Sequence, residues 1–391
     1  MKRVFENERC PLIQIYISFI FCFGYLFNNY LLAVVGLFFV AFYTLFKERR
    51  LAIHKEYLPM LLCMSVWAIS TLYSYNGTYA MKFLTYCVCI MLMFAIQPDV
   101  INRTFFLTLF LFSSVHVVFI LLQAISYSFV DGIAYRILSN SQYSVAHSIY
   151  NWSGALTGIT GQTGAAALYC VTCLSIIVMN AMKNKRWYLA AIFPSIALLL
   201  TQKRSFLLIG LALVIILELQ QMKKNSLKQK IALLFVGALA IFMVYYVTSR
   251  YIDVSGIISK LEKGSTSNRN VLWSNMISIF NKHPVFGIGL LSTDVLFGMT
   301  GHNIYLQLLC ENGIIGALPF FYLFIHALYI SIKYRIDNER CTFAMYHLLF
   351  IFAYGFLGNP IYEFTHMILF FLCYDVIIRS KTQYLDSRVL V

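Results

Sequence analysis

The chain has 391 residues, of which 60% are hydrophobic, 17% aromatic and only 12% charged, with a mean hydropathy of +0.74. An ordinary soluble domain carries charge on about a quarter of its residues, so that class is excluded. The formal charge of +14 does not call for nucleic acid, because in a membrane protein an excess of Lys and Arg belongs to cytoplasmic loops.

A helical span needs ~20 mostly apolar residues. On that ruler the sequence predicts an all-α polytopic membrane protein with twelve spans: 11–28, 30–46, 58–75, 80–96, 105–124, 161–181, 187–201, 204–220, 231–249, 313–332, 343–357 and 365–379. Lys2, Arg3 and Arg9 before the first run imitate a signal peptide. No small-residue cleavage site follows and a second run arrives at once, so the first run reads as a membrane helix. The basic stretches 47–55, 183–186, 223–230 and 333–340, with the tail from Arg379, all share one side. That side is the cytoplasm, which also holds both termini. Residues 1–391 then form a single integral membrane domain with two long outer loops, 125–160 and 250–312. The ten cysteines fall mostly inside apolar runs, and Cys170-x-x-Cys173 has no second pair to complete a metal site, so packing is expected of them.

With Lys and Arg biased inward, the outward cations are the informative ones. The stretch TQKRSFLL, from Thr201, is the tip of an outward hairpin. The span before it is only ~22 Å long at ~1.5 Å per residue, short of a ~30 Å hydrocarbon core. Lys203 and Arg204 therefore sit at or slightly below the outer surface, a costly place unless they bind an anion or line a wet cavity.

In the second outer loop, Leu272, Trp273, Met276, Ile277 and Phe280 recur at helical spacing. They predict an amphipathic helix near 267–281 on the outer leaflet, capped by Ser267 and ended by His283-Pro284. Arg269 then lies in the first turn, where the macrodipole disfavours a cation and a phosphate would be welcome.

The stretch GHNIYLQLLCENGIIG, from Gly301, follows. Asn303, Gln307 and Glu311 lie at i, i+4 and i+8, one polar stripe on a short helix that Asn312-Gly313 would end. His302 stands at its outer mouth, where a group with an ordinary pKa near ~6.5 can move protons. Two cations suited to a diphosphate and one titratable base imply displacement of a phosphate leaving group from a lipid-embedded substrate. No Asp-x-Asp pair is present, and the outer acids Asp131, Asp253, Glu262, Asp294, Glu311 and Glu363 do not cluster in sequence. Protein cations would then take the place of a metal. Gly287-x-Gly289 and Gly313-x-x-Gly316 read as turn or packing signals rather than nucleotide motifs.

TQKRSFLLIG, SNRNVLWSNMISIFNKHPVFGIG and HNIYLQLLCENGIIGALPFF, in this order, resemble the O-antigen polymerase and O-antigen ligase superfamily. The likeness covers roughly 200–330, and the first 190 residues match in hydropathy alone. It implies a bacterial inner-membrane glycosyltransferase of GT-C type, inverting and free of metal or other cofactor. The donor and acceptor would be undecaprenyl-diphosphate-linked oligosaccharides on the periplasmic face. A chain-length regulator and other export components are its implied partners, besides membrane lipids. Arg204 and Arg269 match the family's diphosphate arginines, and His302 the histidine that activates or holds the acceptor. Lys203, Asn303, Gln307 and Glu311 stand as substrate-binding candidates. The compact segment between Arg269 and His302 favours the polymerase over the ligase. A lipid-linked-oligosaccharide flippase would place its charges at mid-membrane instead.

Overall fold

The computed structural model describes residues 11–27, 29–49, 57–96, 103–181, 184, 186–221, 269–333 and 339–389. The predicted ninth span, the basic stretch 223–230, Ser267, and the positions of Lys2, Arg3 and Arg9 lie outside them, as does 250–268 of the second outer loop. Every regular element among the described residues is helical. In chain order these are α1 Pro11–Phe23, α2 Asn29–Glu48, α3 Leu58–Thr71, α4 Gly77–Ile96, α5 Arg103–Ile125, α6 Tyr127–Ile137, α7 Asn140–Ser153, α8 Thr163–Ala181, α9 Trp187–Ala190, α10 Ile192–Leu200, α11 Arg204–Gln221, α12 Arg269–Lys282, α13 Ser292–Phe297, α14 Ile304–Lys333, α15 Glu339–Gly355 and α16 Phe364–Val389.

Among the described residues, α2, α4, α5, α8 and α14 are long and apolar enough to cross a membrane, and shorter apolar helices cover Leu12–Leu26, Leu58–Thr71 and Trp187–Leu200. The protein is an all-α membrane protein. On α2, Leu31, Val35, Phe38, Phe42 and Phe46 follow one another at three- and four-residue spacing, and all are exposed. A stripe of that size would drive aggregation in water and is the natural surface against lipid tails.

Helix α8 is the hub. Nearly all of its length is buried, with α5, α10, α11 and α15 packed around it. Cys170 and Cys173 are buried on α8, and Cys173 Sγ meets Ser114 Oγ of α5 at 3.5 Å, in keeping with a packing role.

Hydrogen bonds gather the predicted outer segments at one end of the bundle. Gln142 Nε2 donates to Tyr25 O at 2.9 Å, Gln202 Nε2 to Ser153 O at 2.8 Å, and Ser74 Oγ to Leu290 O at 2.5 Å. At the other end Arg379 Nε reaches the buried Asp375 at 2.7 Å, Arg379 Nη2 reaches Phe94 O at 3.2 Å, and the Tyr57 hydroxyl donates to the same carboxylate.

Helix α14 is broken at Gly313, whose φ of 58° and ψ of −167° are not helical, where the sequence predicts the short helix to end. A break strands backbone groups that need partners. The strap Pro284–Gly289 supplies them. Ile288 N donates to Cys310 O at 3.1 Å and Gly289 N to Glu311 O at 2.8 Å, while Ile314 N and Ile315 N donate back to Pro284 O and Val285 O at 2.9 and 3.2 Å. The approach is so close that a Cβ on Gly287 would meet the Glu311 backbone, and one on Gly313 the Val285 carbonyl. These glycines are packing signals, as their spacing suggests.

Helix α12 buries Leu272 and Met276, and Met276 forms a small core with Ile288 and Cys310. Part of its apolar stripe is thus packed against the strap and α14, while Val271 and Ile277 stay exposed.

Candidate functional site

The candidate residues converge at the end where the outer segments gather. The hairpin between α10 and α11 turns through Gln202, whose φ of 55° is left-handed, and its side-chain amide is tied to the end of α7. That turn directs Lys203 inward and leaves Arg204 exposed at the start of α11. Arg269 opens α12. His302 also has a left-handed φ, 52°, a conformation that is uncommon outside glycine and clusters at functional positions.

The backbone on both sides of His302 is fixed. Gly301 N donates to Gln307 Oε1 at 2.9 Å, and Gly301 O accepts from Trp273 Nε1 at 3.0 Å. Asn303 Oδ1 accepts from Tyr305 N and Leu306 N at 3.1 and 3.2 Å, so it caps α14 in the usual amide fashion. Gln307 and Glu311 are both fully buried. Gln307 Nε2 donates to Glu311 Oε1 at 2.9 Å. The Glu311 carboxylate also accepts from Leu291 N at 2.8 Å and Thr293 N at 3.1 Å, and from the Thr293 hydroxyl.

Neither Gln307 nor Glu311 reaches solvent; Gln307 bonds the backbone beside His302, and Glu311 the segment that follows the strap. The i, i+4, i+8 stripe exists, but packing of the strap turns it inward.

Lys203 and His302 each lie within electrostatic reach of Arg269 and Glu363, and of one another. Burial lowers the His302 pKa below the ordinary histidine value, Arg269 and Lys203 push it further down, and Glu363 opposes them. Burial likewise lowers the Lys203 pKa, with Arg269 adding to the effect and Glu363 countering it. For Glu363, burial alone would raise the carboxyl, but His366, Lys203 and His302 outweigh it and hold it below the usual carboxylate value. The site thus keeps a neutral imidazole, an ionised carboxylate and two close cations near neutral pH.

Glu363 is the residue that sequence reasoning misses. In one dimension it is one outer acid among several, 61 positions from His302 and without acidic neighbours. Its carbonyl accepts from Met367 N at 3.0 Å, which makes it the N-cap of α16 and sets its charge at the positive end of that helix. Glu363 Oε2 lies 2.9 Å from His366 Nδ1. His366 is buried and stacks on Tyr354, which with Phe206 forms an aromatic floor beneath the pair. The Glu363 side chain keeps 43% of its area accessible. The spacing Glu363-x-x-His366 at an outer helix start is the one signal of it in the sequence.

The two hairpin cations differ in exposure, Lys203 being half-buried and Arg204 exposed. Lys203, not Arg204, shares the field of Arg269, His302 and Glu363, because the left-handed turn at Gln202 points consecutive side chains in different directions. Arg204 stands at the rim.

Residues 189–321 match the protein family described as O-Antigen ligase. The match supports the resemblance to the O-antigen polymerase and ligase superfamily for this segment. No curated protein matches the chain. The superfamily segment carries Lys203, Arg204, Arg269 and His302, whereas Glu363 and His366 lie beyond it. It supports an O-antigen polymerase or ligase activity, glycosyltransferase-like, on lipid-linked glycans of lipopolysaccharide biosynthesis.

Proposed function

We propose that the protein polymerises undecaprenyl-diphosphate-linked oligosaccharide repeats by inverting, metal-independent glycosyl transfer at the periplasmic face of the inner membrane, in a twelve-span GT-C type fold. The observation that carries this reading is the meeting of Lys203, Arg269, His302 and Glu363 at one mouth of the helix bundle. The acceptor hydroxyl loses its proton to His302 as its oxygen attacks the anomeric carbon. The bond from that carbon to the diphosphate oxygen breaks, and its electron pair leaves with the diphosphate. Arg269 and Lys203 neutralise that charge, with Arg204 reaching it from the rim, a preorganised electrostatic role. Glu363 stabilises the imidazolium as it forms. Anion binding between the cations also relieves the repulsion that depresses His302, so the base strengthens when the donor is in place.

The ligase is the second reading, favoured by the description of the matched family. Its chemistry is the same and its acceptor is the lipid A core. Deleting the gene and resolving the surface glycan by gel separates the two. Single repeats on the lipid core indicate a lost polymerase, and long chains stranded on the carrier lipid indicate a lost ligase. An unchanged glycan overturns both.

A further inference from the structure

Helix α7 is well built for an element of the first outer loop. It starts with a capping box, in which the Ser139 hydroxyl and the Gln142 side chain each satisfy the other's backbone N–H, and it ends at Gly154 in the left-handed conformation. Yet no residue of α7 is buried. A helix so carefully terminated and so little packed is presenting a face.

That face forms an open groove of about 610 Å³, lined by Tyr143, Ser144, His147, Ser148, Asn151 and Trp152. The spacing, i and i+1 repeated every four residues, puts all six on one side of the helix. Trp152 is 85% exposed. Several polar groups are held in place: Asn151 Nδ2 and His147 Nδ1 are 2.9 Å apart, and the Tyr143 hydroxyl donates to Asp131 at 3.0 Å. The lining contains no Lys, Arg, Asp or Glu, which makes it a poor site for a phosphate. Flat aromatic surface beside hydroxyl, amide and imidazole groups suits a ligand whose faces are C–H and whose edges are hydroxyl: a neutral sugar.

Membrane anchoring is the competing use of an exposed tryptophan. The neighbouring α6 is the better suited helix, since it exposes Phe129, Tyr135 and Ile137, whereas the α7 groove alternates rings with serines and an amide. Position points the same way. Ser153, next to Trp152, accepts the Gln202 amide, and Gln202 immediately precedes Lys203 and Arg204. The C-terminal end of α7 is therefore tied to the hairpin that carries the two cations.

We propose that the α7 face binds neutral sugar residues of the glycan chain that lie beyond the reacting sugar, holding the saccharide in line with the mouth. The proposal rests on the glycan-transfer reading of that mouth. The first outer loop then serves to seat the non-reacting part of a long substrate.

The test uses the full chain in detergent and, as probe, the oligosaccharide released by mild acid from the lipid-linked glycan of the same strain. Binding is followed by saturation-transfer NMR. Trp152→Ala and Asn151→Ala should each weaken binding about tenfold or more with an unchanged melting temperature, and Trp152→Phe, which keeps a ring, should recover most of it. His302→Ala should bind the probe as the wild type does, which separates the groove from the chemistry. Wild-type affinity in both alanine variants overturns the proposal. So does loss of bilayer association by Trp152→Ala with glycan binding intact, which would make the residue a membrane anchor. If deletion of the gene leaves the surface glycan unchanged, the glycan-transfer reading itself fails, whatever the NMR result.

Discussion

Asn312 Nδ2 donates to the Tyr362 hydroxyl at 3.1 Å, and this bond couples the broken helix that follows His302 to the loop that carries Glu363. The neighbouring Glu311 carboxylate takes four hydrogen bonds from Gln307, Leu291 and Thr293. The imidazole and the carboxylate of the mouth thus depend on a common buried polar cluster.

Glu311→Gln should therefore act at a distance. An amide brings its own N–H groups into a pocket already full of donors, and a buried donor left unmatched costs about 1–3 kcal/mol. The midpoint of thermal unfolding in detergent should fall accordingly, with turnover per folded molecule falling too. An unchanged midpoint would show that the cluster is not what holds the mouth.

The cations should rank by depth. Loss of one preorganised charge contact typically costs ~10²–10³ in rate, and this is expected for Lys203→Met and for Arg269→Lys, where a point ammonium replaces a bidentate fork. Arg204→Ala should cost less than either, since its side chain is exposed. Transfer rates at matched expression decide the order, and a larger loss at Arg204 than at Lys203 would restore the arginine to the inner position.

A general base contributes roughly 10²–10⁴-fold, so His302→Ala should lose that much. The base works when neutral. Because burial, Arg269 and Lys203 lower its pKa, the rate of the free enzyme should stay flat through pH 7 and fall only once the pH drops below the ordinary histidine value of ~6.5. His302→Gln keeps hydrogen bonding without proton transfer, and near-normal turnover in it would reduce His302 to an acceptor contact. The left-handed backbone adds a control. His302→Gly should be at least as stable as His302→Ala, by about 0.4–1 kcal/mol, because alanine is strained at φ of 52°.

Glu363 should tune that base. Removing its charge in Glu363→Gln takes away the one group that opposes depression of His302, so the acidic limb of the rate profile should move to lower pH as the rate drops. Glu363→Asp should restore the position of the limb. A profile that does not move in Glu363→Gln assigns the carboxylate to packing with His366.

The far end of the bundle supplies a structural contrast. Asp375 is buried and paired with Arg379 at 2.7 Å. Arg379→Met removes the ion pair at that buried carboxylate, and breaking a buried pair costs about 3–5 kcal/mol. Stability in detergent should drop by that order while the transfer rate per folded molecule is unchanged.

Much of this protein is legible in one dimension. Membrane spans are set by the length and apolarity of local runs, so the helices around α8 and the all-α class follow directly from hydropathy. The break at Asn312-Gly313 is local as well, being a matter of backbone freedom. Three features needed the third dimension. Gln307 and Glu311 read as a polar stripe whether they face a substrate or a strap, and only packing of Pro284–Gly289 decided that they point inward. Lys203 and Arg204 are equivalent in sequence until the left-handed turn at Gln202 sends one to the site and the other to the rim. Glu363 is marked in sequence only by His366 three positions on, and its closeness to His302 appears only when the chain is folded. Periodicity reports which residues share an element's face, and the direction of that face depends on contacts between elements far apart in the chain.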